Sequence, residues 1–79
     1  MGEIQNFQGK LALKKQDLMV LGLRMQGVVL GLRELLDPTI PVDELQTDII
    51  ADHALMLATL HADYKAIQEE IKTIKRALG

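Results

Sequence analysis

Two histidines are the residues of this sequence best suited to bind a metal ion or to sense pH. His53 and His61 are eight positions apart, which is roughly 12 Å along a helix, so one helix cannot bring both to the same ion. The 79-residue chain has no cysteine that could complete such a site. We therefore expect no metal site and no cofactor, and we interpret the histidines as core or interface residues. A metal-binding or pH-sensing role stays open as the alternative.

Three carboxylates upstream of His61 are the other candidates for chemistry. Glu44, Asp48 and Asp52 follow one another at four-residue spacing, which puts them on one face of a helix. Catalytic carboxylate pairs need a dry pocket that separates their pKa values. The sequence contains no Ser-His-Asp set and no glycine-rich phosphate loop. We interpret the carboxylates as a solvated face and predict no catalytic residue.

The charged residues are unevenly distributed along the chain. The formal net charge is −2, which gives no general reason to expect binding to nucleic acid or to a membrane. Residues 1–18 and 62–79 together carry seven basic and five acidic groups, whereas residues 19–61 carry two basic and six acidic groups. Candidate contacts for an anion or for nucleic acid are Lys10, Lys15, Lys72, Lys75 and Arg76. Only two aromatic residues are available for stacking on bases, so nucleic acid remains the weaker alternative.

Two prolines divide the chain into two helical segments. Pro38 and Pro41 bias the residues before them away from helical conformation. Pro41 also suits the first turn of a following helix, and two acidic residues after it complement the helix dipole. A single all-α domain over residues 1–79 is therefore predicted, folded as an antiparallel helical hairpin. Its parts are helix 1 (about 7–36), a turn (37–41) and helix 2 (about 42–78).

Each predicted helix carries a long apolar stripe. The stripe of helix 1 alternates steps of three and four, which is the heptad spacing of a coiled coil. Its members are Ile4, Phe7, Leu11, Leu18, Leu21, Met25, Val28, Leu32 and Leu35, with Lys14 as a polar member. The stripe of helix 2 is Val42, Leu45, Ile49, His53, Met56, Leu60, Tyr64, Ile67, Ile71, Ile74 and Leu78. Its first half has an 11-residue period, which predicts a reduced left-handed supercoil there.

A second apolar stripe lies beside the first on each helix. Its members are Leu13, Val20, Leu23 and Leu30 on helix 1, and Ile50 and Leu57 on helix 2. One partner helix cannot cover both stripes, and a small domain without disulfides often gains its stability from oligomerisation. We therefore predict that the hairpin self-associates, as a dimer or tetramer, into a four-helix or larger bundle with the second stripes at the interface.

Three glycines and three polar residues mark the predicted contact between the helices. Gly22, Gly27 and Gly31 predict a close helix crossing, because glycine lets two backbones approach. A turn at residues 38–39 pairs positions whose numbers add to about 78, which puts Gly27 level with His53 and Lys14 opposite Tyr64. A polar core layer of Lys14, Tyr64 and His53 is the corresponding prediction.

These features favour a protein that works through its surface. We expect a non-enzymatic, oligomeric helical assembly or adaptor protein that acts through the surface of its bundle and binds other copies of itself, with another protein as a further partner. The alternatives are a small nucleic-acid-associated regulator that uses the basic end of the hairpin, and an enzyme or ligand carrier with a polar cavity in the bundle. The stretch from Leu18 to Leu32 is too short and too polar to span a membrane, and no signal peptide is visible. We expect a cytoplasmic protein.

Overall fold

The chain folds as two long helices packed side by side. A computed structural model describes residues 2–79, with side chains from Asn6 onward. Helix α1 spans Gly2–Leu35, Val42–Glu44 form a single 3-10 turn, and helix α2 spans Thr47–Leu78. The result is a rod of 62 × 15 × 14 Å without strands in the described part. The prediction of an all-α antiparallel hairpin is confirmed, although α1 begins earlier than predicted.

The connection between the helices is longer than predicted. Eleven residues separate Leu35 from Thr47, where five were expected. Pro41 precedes the 3-10 turn, and Leu45 after it is extended, with ψ of 135°. Pro41 and the acidic residues at 43 and 44 favour the start of a helix, but a single 3-10 turn satisfies the same preferences. Helix α2 is therefore present as predicted, but it begins five residues later, at Thr47.

An aspartate fixes the first half of this connection. The hydroxyl and the backbone N–H of Thr39 both donate hydrogen bonds to Oδ1 of Asp37, at 2.6 and 2.8 Å. The backbone N–H of Ile40 donates to the carbonyl of Asp37 at 3.0 Å. The hydrogen bond from the Thr39 hydroxyl, and then the one from its N–H, lower the pKa of Asp37 from its ordinary value of 3.8. Asp37 thus forms an Asx turn that directs the chain away from α1.

The longer connection changes which residues of the two helices meet. Lys14 lies opposite Glu70, and a Cβ atom added at Gly22 would lie 3.6 Å from Cε2 of Tyr64. The residue numbers of these pairs add to 84 and 86, rather than to about 78. Because the centre of the connection lies near Pro41 instead of Pro38, each residue of α1 meets a residue about two helical turns further along α2 than predicted.

The inward row of α1 is the predicted heptad stripe. Its described members are all half-buried: Phe7, Leu11, Lys14, Leu18, Leu21, Met25, Val28, Leu32 and Leu35. The side chain of Ile4 lies outside the described residues. The spacing of three and four thus identifies the face that packs against α2.

The inward row of α2 differs from the prediction in its first half. Ile50 and Leu57 are half-buried, whereas Ile49 and Met56 are 39% and 49% exposed. The inward row follows alternating steps of three and four from beginning to end: Ile50, His53, Leu57, Leu60, Tyr64, Ile67, Ile71, Ile74 and Leu78. This is a continuous heptad pattern, so an 11-residue period is not present and the corresponding change of supercoil is not expected. Ile50 and Leu57 belong to the inward row of α2, and their place at an interface between copies stays a prediction.

The hairpin has very little interior. Leu60 and Ile71, both on α2, are 5% and 7% exposed, and they are the only hydrophobic residues classed as buried among those described. Every described apolar residue of α1 remains at least partly accessible. Two helices form one layer, and a stable core normally lies between at least two layers.

Candidate interaction surface

The second stripe of α1 is a set of exposed apolar side chains on the outer half of the helix. Its four residues, which we call the leucine row, are Leu13, Val20, Leu23 and Leu30. They are between 48% and 62% exposed. Most large aliphatic side chains in folded proteins are buried, and one exposed leucine would need no explanation. Four along one helix form an apolar patch of the kind that marks an interaction site.

Met19 extends this surface beyond the predicted second stripe. Its side chain is 62% exposed, as much as that of Leu23. It lies four positions before Leu23 on the same helix, which makes the two side chains neighbours on the helix surface. The signal was available in the sequence, because an i, i+4 pair of apolar residues outside the heptad positions extends the second stripe.

A shallow apolar groove runs beside the leucine row on one side of the hairpin. Its first part is lined by Lys15, Leu18, Met19, Gly22, Leu23, Gln26 and Tyr64. Its middle part shares Gly22, Gln26 and Tyr64 with the first, and adds Met25, Val29, Leu30 and Arg33. Its last part shares Met25 and Val29 with the middle, and adds Leu32, Ala54, Leu57, Ala58 and His61. Because the three parts share residues, they form one feature, which we call the long groove.

The other side of the hairpin carries more charged residues. One depression there is lined by Arg24, Asp52, Leu55, Met56, Thr59, Leu60 and Asp63, and a second by Lys10, Lys14, Glu69, Glu70, Thr73 and Ile74. Arg24 and Gln26 stand on either side of the inward residue Met25, about 200° apart around the helix. The hairpin therefore has two sides of different character: an apolar groove side and a charged side.

Two of the three glycines lie at the contact between the helices. A Cβ atom at Gly31 would lie 3.2 Å from Cδ2 and 3.3 Å from Nε2 of His53, so the imidazole ring packs directly against the backbone of α1. No atom lies within 4 Å of the corresponding position at Gly27. The predicted register puts Gly27 level with His53. In the observed register, Gly31 lies beside His53 instead. Gly27 faces open space.

His53 is held by its own helix as well as by Gly31. Its Nδ1 lies 3.0 Å from the carbonyl oxygen of Ile49, one turn earlier in α2. The other ring nitrogen, Nε2, faces Gly31. Among the described residues, no group of three His, Asp or Glu side chains comes close enough together to hold a metal ion.

The three residues of the predicted polar layer lie in separate layers. Lys14 donates from Nζ to Oε2 of Glu70 at 2.6 Å, Tyr64 faces Gly22, and His53 faces Gly31. The hydrogen bond to Glu70, and then the attraction of its charge, raise the pKa of Lys14 above the ordinary value of 10.5. Lys14 is thus a partly exposed charge paired across the hairpin, and the polar layer is not assembled.

The basic residues at the open end of the hairpin have varied surroundings. Nζ of Lys10 lies 5.9 Å from the centre of the Phe7 ring, and Nζ of Lys72 lies 3.2 Å from Oε1 of Glu69. Lys15 lines the long groove. Lys75 and Arg76 are exposed in the last turn of α2, where a positive charge complements the helix dipole. A role of these residues in nucleic acid binding stays a prediction.

Comparisons with known proteins add no relative to this description. No protein-family model, curated protein or solved structure matches the chain. Within the described residues, neither helix has a stretch that is long and apolar enough to cross a membrane. The surface of the hairpin is therefore the feature from which a function can be inferred.

Proposed function

We propose that this protein is a non-enzymatic helical assembly or adaptor protein, which self-associates through the leucine row and the long groove and acts through the outer surface of the resulting bundle. The observation that carries the proposal is the imbalance between interior and surface. The hairpin buries Leu60 and Ile71, while the leucine row and Met19 remain exposed. A second copy would supply the missing layer on the other side of these side chains.

The accessible surface gives the size of this imbalance. The chain exposes 6066 Å² for a mass of 8.8 kDa. A compact monomer of that mass exposes about 4,800 Å². The excess is about 1,300 Å² per chain, and a stable interface of standard size removes about 800 Å² from each partner. The excess is thus sufficient for one complete interface with a second copy.

The alternatives receive less support from the same residues. An enzyme or carrier with a polar cavity would need Lys14, Tyr64 and His53 together, and they contact Glu70, Gly22 and Gly31 instead. A nucleic-acid-associated regulator would use the basic end, where Lys72 is paired with Glu69. We also propose a cytoplasmic location, which a chain without cysteine favours.

The test is a charge placed in the leucine row. Leu23→Glu should shift the protein from an oligomer to a monomer in sedimentation equilibrium, because assembly would bury the new carboxylate in an apolar interface. The monomer should also melt at a lower temperature or aggregate, since its apolar stripe stays uncovered. Leu30→Glu should behave in the same way.

Leu55→Glu is the matched control. Leu55 is another leucine, 70% exposed, and it lines the depression on the charged side of the hairpin. The variant should keep the native mass and stability. An unchanged oligomer in Leu23→Glu and Leu30→Glu would contradict the proposed interface, and dissociation by Leu55→Glu alone would assign the interface to the charged side.

A further inference from the structure

The long groove has the length needed to accommodate a helix. It extends along α1 from Lys15 to Arg33, which is roughly 27 Å of helix. Small residues form part of its floor and wall, with Gly22 on α1 and Ala54 and Ala58 on α2. Large exposed side chains, among them Met19 and Leu23, stand along its edge. Such alternation of small and large residues lets two similar surfaces interdigitate.

The occupant that fits this groove is a second copy of the chain. The hairpin is a rod of 62 × 15 × 14 Å, so a second rod can lie against it along its length. The copy brings its own Met19, Leu23 and Leu30 to a groove edged by the same residues, as the self-complementary interface of a twofold dimer requires. The excess surface of about 1,300 Å² per chain exceeds the roughly 800 Å² that each partner of a stable complex buries.

The charges decide the direction of the second copy. Residues 1–18 and 67–79, which form the open end in the observed register, carry six basic and four acidic groups, for a net charge of +2. Residues 19–66, which form the turn end, carry three basic and seven acidic groups, for a net charge of −4. The Debye length of about 8 Å at physiological salt is much shorter than the rod, so each end responds only to the charges beside it. A parallel pair sets −4 against −4, whereas an antiparallel pair sets −4 against +2 at both ends.

We infer that two copies dock antiparallel, groove side against groove side, so that α1 packs on α1 of the second copy and α2 on α2. A twofold axis perpendicular to the rods produces this pairing of equivalent helices. Full overlap of the rods sets the axis near the contact of Gly22 with Tyr64, midway between Gly2 at the open end and Pro41 at the turn. The inference rests on the proposed self-association, and it specifies which face of the hairpin docks and in which direction the second copy runs.

Distances between spin labels on two copies test the direction. The chain has no cysteine, so a single introduced cysteine is labelled uniquely. Asp43→Cys, at the turn end, should give an inter-copy distance of roughly 50–60 Å in the antiparallel dimer, because the two turns lie at opposite ends of the assembly. A parallel dimer would give less than roughly 25 Å at the same position, since helices in contact are 8–10 Å apart.

A second pair of labels tests the face. Gln26 lines the long groove, and Thr59 lies beside Arg24 in the depression on the charged side. Gln26→Cys should give the shorter inter-copy distance, by roughly the width of two helices, about 20 Å. A shorter distance for Thr59→Cys would overturn the assignment of the face.

The outcomes separate this inference from the proposed function. An oligomeric mass with a short Asp43 distance would overturn the antiparallel direction and leave self-association standing. A monomeric mass with no inter-copy dipolar signal at any position would overturn both. A long Asp43 distance together with a short Gln26 distance would support both.

Discussion

At the contact between the two helices, the volume of a single side chain decides how closely the backbones approach. The nearest atom of the His53 imidazole lies 3.2 Å from the position that a Cβ atom of residue 31 would take, and the ring of Tyr64 lies over Gly22 at ordinary contact distance. His53 cannot move freely away, because its Nδ1 is within hydrogen-bond distance of the Ile49 carbonyl. A glycine inside a helix costs conformational entropy, and at Gly31 the contact with His53 offsets that cost.

Two alanine substitutions in α1 should separate these effects. Gly27→Ala should raise the free energy of unfolding by about 0.5–1 kcal/mol, because alanine favours the helix and no atom obstructs its methyl group. Gly31→Ala should raise the free energy of unfolding by less than Gly27→Ala does, or should lower it, because the new methyl group would lie 3.2 Å from Cδ2 of His53. Chemical denaturation at equal chain concentration measures both.

Removal of the imidazole is the control for this pair. In a His53→Ala background, Gly31→Ala should become as favourable as Gly27→Ala. Equal stabilisation by the two alanines while His53 is present would contradict the close contact at Gly31.

At the scale of the elements, spacing identified the helices and the turn, but it did not determine their register. Adjacent apolar pairs in α2 explain part of the difference. Ile49 stands beside Ile50, and Met56 beside Leu57, so the sequence alone does not show which member of each pair faces inward. The start of α2 is ambiguous for a similar reason, because Pro41 and the acids after it suit a 3-10 turn and a helix equally.

The candidate surface was predictable to the extent that it depends on one helix. The leucine row follows from the pattern of α1 and needs no knowledge of its partner. The long groove could not be derived in the same way, since it requires the register of α1 against α2. A turn assigned a few residues too early moved every contact across the hairpin, including that of Gly27 with His53.

The turn carries a prediction about pH. The folded pKa of Asp37 is below its ordinary value of 3.8, so its carboxylate contributes stability that is fully present above that value and is lost as the pH falls through the lowered folded pKa. Asp37→Ala should therefore lower the melting temperature near neutral pH, and the difference from the unsubstituted protein should shrink as the pH falls below 3.8.

Asp43→Ala is the control for the turn. Asp43 lies in the 3-10 turn, and its carboxylate makes no hydrogen bond within the described residues. This variant should change the melting temperature little at either pH. A difference between Asp37→Ala and the unsubstituted protein that stayed constant on acidification would contradict the role assigned to the Asp37 carboxylate.

At the scale of the whole molecule, the hairpin is far more extended than a domain of its length. Its radius of gyration is 18.0 Å, compared with about 12 Å for a compact domain of 79 residues. The two inward rows use one face of each helix and leave the leucine row without a partner. A bundle of two hairpins would double the thickness of the rod and bury Leu23 and Leu30, the members of that row at the groove edge, between two layers.

The most direct test of this account is the mass of the protein in solution, measured by size-exclusion chromatography with light scattering over a range of concentrations. The account predicts a dimer, or a higher even oligomer, of the 8.8 kDa chain, with a melting temperature that rises with concentration. A monomer of 8.8 kDa at every concentration, with a cooperative melting transition independent of concentration, would contradict self-association and show that the hairpin is stable with its leucine row exposed.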